Sequence, residues 1–259
     1  MDAATVPGLP DYRHLALGDV GSTNSEAMAR ARAGDPGNLW VTARRQLMGR
    51  GRRGRPWVSE EGNLYASLLL VDPAPVARLG TLPLVAAVAV YRALRPLFAR
   101  TPQALAIKWP NDILVDGRKI NGILLESENL PGGRMAVVVG CGINCRHHPD
   151  NPAYPATDLS DCGIDLAPRD LFDSLARTMA GTLLEWNRGA GFAVVREAWL
   201  LAARGIGERV TVNLHEGQVA GVFEEIDADG YLSLLTEDGA RRRISAGDLF
   251  FTQPAGPVQ

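Results

Sequence analysis

The residues best able to do chemistry lie in one short run, Gly49-Arg50-Gly51-Arg52-Arg53-Gly54-Arg55. Guanidinium groups are planar forks that bind phosphate or carboxylate through paired hydrogen bonds, and they stay charged at any working pH. Glycines between them let backbone approach a ligand closely. Six arginines fall between Arg44 and Arg55 with no acid among them, so mutual repulsion disfavours a compact loop until an anion neutralises it. The expectation is a segment that is mobile in the empty protein and ordered by a phosphate-bearing ligand. An arginine run is more often a solvated turn; three glycines at fixed offsets argue against that here. Gly49, Gly51 and Gly54 also match GxGxxG, with Asp72 downstream as a ribose-binding acid. Only Pro56 to Gly62 separate the run from the next strand, too few residues for the crossover helix that a dinucleotide-binding unit requires. That reading fails on context.

A second cluster is Lys108-Trp109-Pro110-Asn111-Asp112. Lys108 stands among apolar residues at the end of a strand that should be buried, and a buried ammonium must be paired. Asp112 is its candidate partner. The pair either satisfies only itself, or Asp112 orients a triphosphate or its magnesium while Lys108 neutralises charge. Lys119 follows a turn, and Asn121-Gly122 lets backbone come close to a ligand. Cys141, Cys145 and Cys162 form no CxxC pair and leave an odd thiol. They read as small buried side chains in a reducing, cytoplasmic setting, and His147 and His148 lack the spacing of a metal site.

These residues need elements to hold them. Thr23-x-x-Glu26 has capping-box spacing, which predicts a helix over Glu26 to Ala33, ended by Gly34-Asp35-Pro36-Gly37. Leu39 to Ala43 reads as a strand leading into the arginine run, and Asn63 to Val71 as the next. Leu79 to Ala99, interrupted by Pro83, Arg92, Arg95 and Pro96, predicts the principal core helix rather than a membrane span. Leu105 to Trp109 and Asp112 to Val115 are strand-like. Asp116-Gly117 is a hairpin turn with Lys119 to Glu126 returning, and Met135 to Cys141 is apolar and β-branched. Amphipathic helices fit Pro168 to Trp186 and Phe192 to Arg204. From Arg209 to Phe251, short strands with turns at His215–Gly217, Asp227–Gly230 and Glu237–Gly239 predict a small antiparallel barrel. Gly205-Ile206-Gly207 reads as a hinge between two domains, 1–205 and 206–259.

Composition narrows the classes. A net charge of −2 excludes the molecule as a whole as a polyanion binder and leaves only local patches. Met1 to Asp11 lacks the basic and apolar regions of a signal peptide. No membrane association is expected.

In their order along the chain, Ser22-Thr23-Asn24, Gln46, Gly49 to Trp57, Lys108 to Asp112, Lys119 to Glu126 and Gly140 to Asn144 resemble the biotin protein ligase family, from about residue 20 onward. The resemblance implies an α+β fold: a mixed β-sheet with helices packed on it, of the class II synthetase-like kind shared by biotin and lipoate ligases, then a small SH3-like β-barrel. It implies formation of biotinyl-5′-AMP from biotin and ATP with Mg2+. Biotin then passes to a lysine of a biotin carboxyl carrier protein or carboxylase biotinyl domain, without a covalent enzyme intermediate.

By the same resemblance, Ser22, Thr23, Asn24 and Gln46 take the ureido ring, a neutral group that hydroxyls and amides can satisfy without burying charge. Gly49, Arg50, Gly51 and Arg52 form the biotin and adenylate loop. Trp57 walls the apolar part, with Gly122, Ile123, Leu124, Gly140 and Gly142 around it. Lys119 faces the biotin carboxylate. The nucleotide falls to Arg50, Arg52, Arg53, Asn111, Asp112, Lys119 and Asn144; the catalytic set is Lys119, Arg52, Lys108 and Asp112, with Asp112 also the candidate metal ligand. Some members carry an N-terminal helix-turn-helix. Here the segment before Ser22 is short and broken by Pro7 and Pro10, so no DNA-binding role is expected. Exposed strand edges leave a homodimer open.

Three rivals remain. A nucleic-acid-binding module would place aromatic platforms beside the arginines, and only Trp57 qualifies. A lipoate or octanoate protein ligase on the same fold would not require Ser22, Asn24 and Gln46 at the end of a plain acyl pocket. A non-catalytic biotin sensor would not need the full set of ATP-side residues.

Overall fold

A computed structural model describes residues 3–150 and 155–251. It opens with a hairpin, β1 (Ala4–Val6) and β2 (Leu9–Val20), turned at Pro7-Gly8 with Gly8 at φ +77°. Helix α1 (Thr23–Arg32) follows and carries the chain to β3 (Leu39–Gln46), which pairs parallel with β2. A parallel pair needs such a crossover, whereas antiparallel strands can turn back directly. Then come β4 (Leu64–Val71), the single-turn helix α2 (Val76–Leu79) and α3 (Leu82–Phe98). An antiparallel meander closes the sheet: β5 (Leu105–Lys108), β6 (Asp112–Val115), β7 (Arg118–Leu130) and β8 (Arg134–Ile143). The strand order is β1-β2-β3-β4-β8-β7-β6-β5.

Period-two alternation decides what each sheet face meets. On β4, Leu64, Ala66, Leu68 and Leu70 enter a large cluster with α3, α4 (Pro168–Trp186) and α5 (Phe192–Ala202). Leu69 turns to the other face, where Ala27, Met28 and Ala31 of α1 cover Leu39, Val41 and Val138. Tyr65 and Ser67 share that second face, and they reach the cleft described below. Helix α3 is buried along nearly its whole length, which accounts for its apolar composition. No helix among the described residues is long and apolar enough to cross a membrane.

The C-terminal module is a five-stranded antiparallel sheet: β9 (Arg209–Asn213), β10 (Gln218–Ile226), β11 (Leu232–Leu235), β12 (Arg241–Ile244) and β13 (Asp248–Phe251), in the order β12-β11-β10-β9-β13. Its three expected turns close through Leu214 to Gly217, Asp227 to Tyr231 and Thr236 to Ala240. Residues 252–259, the end of the domain expected over 206–259, lie outside the described residues.

One stretch carried no reading from the sequence, and two expectations need correction. Residues 4–20 form strands that the sequence pattern hid, because β2 is an edge-side strand whose side chains are mostly exposed or half-buried, so polar and apolar residues do not alternate. Thr23 and Glu26 make no capping box: Ser22 holds the N-cap position without a side-chain cap bond, and the Thr23 hydroxyl points elsewhere. Gly205 and Gly207 have φ of +94° and +79°; Gly205 is buried in a packed corner rather than a free hinge, whereas Gly207 is exposed with open space beside it. A Cβ on Gly205 would lie 2.6 Å from the Phe251 ring, and just before it Arg204 is tied to β5 of the large sheet by its backbone N–H, which donates to Ile107 O (2.9 Å).

Candidate functional site

One cleft collects the start of α1, the end of β3, the arginine loop and the facing strands β4, β7 and β8, with Asp248 of the C-terminal module at its mouth. Its inner end is polar and mostly uncharged. Gln46 Oε1 accepts from the Thr23 backbone N–H (2.9 Å) and hydroxyl (3.0 Å), and its Nε2 donates to Ser59 Oγ (3.1 Å). The Ser67 hydroxyl donates to Asn24 Oδ1 (2.6 Å) and lies 2.7 Å from Thr23 Oγ1. Asn24 Nδ2 donates to Glu126 (2.7 Å). These side chains fix one another's rotamers, so the polar end is pre-organised for a small neutral hydrogen-bonding group.

The middle is apolar and made by glycine. Trp57 lies against Gly122 and Gly142: a Cβ on Gly122 would come 2.8 Å from the ring, and one on Gly142 would come 2.6 Å from Nε1. The buried Trp57 Nε1 has no partner among the described residues. Gly140 is required for the same reason against Asn24. Cys141 also lines the cleft. Burial pushes its thiol up to about 12, so it is no nucleophile at neutral pH.

The outer end is cationic. Arg50, Arg52, Arg55, Lys108 and Lys119 line it with two carboxylates, Asp112 and Asp248. Asp112 lies between the lysines, Oδ1 2.6 Å from Lys119 Nζ and Oδ2 3.4 Å from Lys108 Nζ. Burial alone would push its carboxyl up, but Lys119 and then Lys108 outweigh that and hold it below the usual carboxylate range. Arg50 donates three hydrogen bonds to Glu126 at 3.0–3.2 Å, so one carboxylate touches both the loop and Asn24 at the polar end.

Lys119 and Gly122 are three residues apart yet share a face, since a Cβ on Gly122 would lie 3.5 Å from Lys119 Cε. A regular strand would put them on opposite faces. The register shift between Ile113 and Leu114, against Asn121 and Lys119 of β7, supplies the extra residue. It re-aims Lys119 into the cleft.

Of the residues expected from sequence, Ser22, Thr23, Asn24, Gln46, Arg50, Gly51, Arg52, Trp57, Lys108, Asp112, Lys119, Gly122, Ile123, Leu124, Gly140 and Gly142 are brought together here. Four do not line the cleft. Gly49 is packed against Ser59 and the Trp57 carbonyl, where any Cβ would collide. The half-exposed Arg53 reaches out to Asn213 O and Asp248. Asn111 is buried and donates to Ile123 O, and Asn144 is buried and donates to Thr157 O; both brace backbone behind the site. Asp112, the expected metal ligand, lines the cleft and is already paired. Both of its oxygens face ammonium groups, Asp248 faces arginines and Glu126 is bound by Arg50. Among the described residues, each of these three cleft carboxylates is thus already paired with a cationic side chain.

The sequence reading missed Arg55, Tyr65, Ser67, Glu126 and Asp248. Arg55 and Glu126 sit in stretches already singled out, and Tyr65 and Ser67 follow from strand alternation. Nothing in the sequence signals Asp248, some 190 residues from the loop it meets.

The loop itself is folded, with a turn at Arg52–Gly54 and a bridge between Arg50 and Pro56. The expected repulsion is offset by protein carboxylates that the loop's own sequence lacks.

Comparison with known proteins follows the same division of the chain. The Biotin/lipoate A/B protein ligase family matches residues 23–144, and the Biotin protein ligase C terminal domain matches residues 205–252. The chain is 39% identical to the Biotin--[acetyl-CoA-carboxylase] ligase of Paracoccus denitrificans, covering 91% of this chain and 99% of that protein. It is 31% identical to the Bifunctional ligase/repressor BirA of Escherichia coli, covering 89% of this chain and 71% of that one. Among solved structures, the biotin protein ligase from Aquifex aeolicus in complex with biotin and ATP superposes with a TM-score of 0.78 at 28% identity, covering 92% of this chain and 99% of that one.

Proposed function

For this chain, which belongs to the biotin protein ligase family, we propose that the cleft forms biotinyl-5′-AMP from biotin and ATP and passes biotin to a lysine of a carboxylase carrier domain. One observation carries the reading: a single cleft runs from a neutral hydrogen-bonding end, past a glycine-walled apolar waist, to a cationic mouth, with Lys119 where waist and mouth meet.

The ureido ring has two N–H donors and one carbonyl, and the Ser22, Thr23, Asn24 and Gln46 end meets it without burying charge. Its ring system and valeryl chain lie along Trp57, Gly122 and Gly142. The carboxylate then reaches Lys119. In the first half-reaction a carboxylate oxygen attacks the α-phosphorus, the bond from α-phosphorus to the bridging oxygen breaks, and pyrophosphate leaves. In the second, a carrier lysine amine attacks the acyl carbon, loses a proton and expels AMP. Negative charge gathers on phosphate oxygens in the first step. Arg50, Arg52, Lys108 and Lys119 are positioned before it develops, which is how fixed donors lower a barrier. Asp112 holds the two lysines in place without cancelling the cationic character of the mouth. Mg2+ would accompany the triphosphate in this reading and help neutralise its charge. We read the C-terminal sheet as an SH3-like module and the carrier as a biotin carboxyl carrier protein.

The test is intact mass spectrometry of a carrier domain after incubation with enzyme, biotin and MgATP. One added biotinyl group is expected, none without ATP, and none when lipoate replaces biotin. Lipoylation in place of biotinylation would overturn the substrate assignment.

A further inference from the structure

The arginine loop has no acid of its own, yet its guanidinium groups are not left to repel one another. Arg55 Nη2 lies 2.8 Å and Arg53 Nη1 3.3 Å from Asp248 Oδ2, and Arg52 Nη1 lies 3.7 Å from Oδ1. Two backbone carbonyls complete the contact: Arg52 Nη2 donates to Gly247 O (2.6 Å) and Arg53 Nη2 to Asn213 O (3.2 Å). All of these acceptors belong to the C-terminal module, and Asp248 and Asn213 are register partners on adjacent strands β13 and β9. The acceptor patch is therefore fixed by the sheet. Gly247 is part of it, because a Cβ there would lie 2.5 Å from Val212 Cγ1 and force its carbonyl away. The Asp248 side chain is only 15% exposed, so its contacts are less screened than those of an ordinary surface pair.

We propose that Asp248 is a positioning residue that holds the arginine loop down over the cleft from the C-terminal module, so that retention of the acyl-adenylate depends on a carboxylate outside the catalytic sheet. The inference rests on the functional reading above. Its logic is electrostatic. Three like charges on a short loop fan apart unless a counter-ion gathers them, and a single carboxylate on a rigid strand gathers them at one place. A loop held there covers the mixed anhydride and keeps water from it. Without Asp248 the nucleotide's own phosphates must order the loop, and that cost falls on ATP binding.

The experiment measures escape of radiolabelled biotinyl-adenylate from full-length enzyme by rapid filtration, alongside steady-state kinetics in ATP. Asp248→Asn should release adenylate about tenfold faster, with the loss falling on KM for ATP rather than on kcat, and Asp248→Glu should recover most of the retention. Arg53→Gln removes one arm of the contact at a half-exposed residue outside the cleft, so it keeps the question answerable if Asp248→Asn folds poorly. It should leak about threefold faster. Because the two residues share one ion pair while Arg53 also keeps its bond to Asn213 O, leakage in the double variant should fall well below the product of the two single effects. Wild-type retention in both single variants would overturn the proposal, as would multiplication of their effects in the double variant. Biotin-dependent pyrophosphate exchange by the wild-type enzyme separates the two failures. Its absence would reject the functional reading, whereas exchange with unaltered leakage in the variants rejects the role of Asp248 alone.

Discussion

Asp112 gathers two lysine ammonium groups on one carboxylate, and its titration is tied to that arrangement. Its folded-state carboxyl is held below the usual range by Lys119 and Lys108 against the opposing effect of burial. A carboxylate depressed in this way contributes stability that is fully present above the unfolded carboxylate range and is lost as pH falls through the folded value. Asp112→Asn leaves two facing ammonium groups without their counter-ion. The substitution should cost about 3 kcal/mol at neutral pH, the low end for breaking a buried pair, since Lys119 keeps 29% of its side chain exposed. The gap between wild type and variant should close as the pH of urea denaturation is lowered below the ordinary carboxylate range. A gap independent of pH would show that the contact is not ionic. Gly142 offers a complementary test without charge. A Cβ there meets the Trp57 indole at 2.6–2.9 Å, and Trp57 stands on a loop that can give way, so Gly142→Ala should cost under about 2 kcal/mol of stability. The KM for biotin should rise at least tenfold, because the displaced ring fills the apolar waist. An unchanged KM would place biotin elsewhere.

At the scale of elements, the start of α1 shows how one residue can be assigned to the wrong task from its spacing. Thr23 and Glu26 match a capping box, but Ser22 occupies the N-cap and the Thr23 hydroxyl serves Gln46 and Ser67 across the cleft. Thr23→Ala should therefore lower stability by only about 1 kcal/mol while raising the KM for biotin about tenfold in a pyrophosphate-exchange titration. A stability loss with no change in KM would restore the capping role. The strands and helices that carry the site were legible because their patterns are local: alternation on β4, the turn at Asp116-Gly117, the apolar run of α3. The N-terminal hairpin was not, since β2 buries little and shows no clear alternation. Within the site, residue types betrayed Lys119, Trp57 and the glycines, but not the bulge that turns Lys119 and Gly122 to one face. A bulge is a property of two strands together and leaves no mark on either alone. Asn111 and Asn144 stand beside site residues in sequence and brace backbone in the structure; polar type does not distinguish those duties.

The whole molecule behaves as two modules in sequence and one core in space. Val210, Phe223, Leu232 and Leu249 of the C-terminal sheet belong to the same buried cluster as α3, α4 and α5. The Trp199 and Phe223 rings lie 6.3 Å apart, Gly230 packs beside Thr81 and Phe192, and Arg196 bonds Ile226 O and Glu225 across the boundary. Two domains joined by a hinge would unfold separately, each with its own midpoint, as multi-domain chains commonly do. A continuous apolar cluster makes the opposite demand: neither module can lose its structure without exposing the other's core to water. Calorimetric unfolding should therefore show one transition for the full chain. Phe223 is fully buried on the C-terminal side of the junction, so Phe223→Ala removes roughly 3–5 kcal/mol of packing. That loss should move the single midpoint down by roughly 10 °C while keeping one peak. If instead two peaks appear and only one moves, the modules are independent, and Asp248 would then ride on a mobile unit unable to fix the loop. A single peak that shifts as a whole is what lets a carboxylate on β13 hold arginines on the far side of the chain's length.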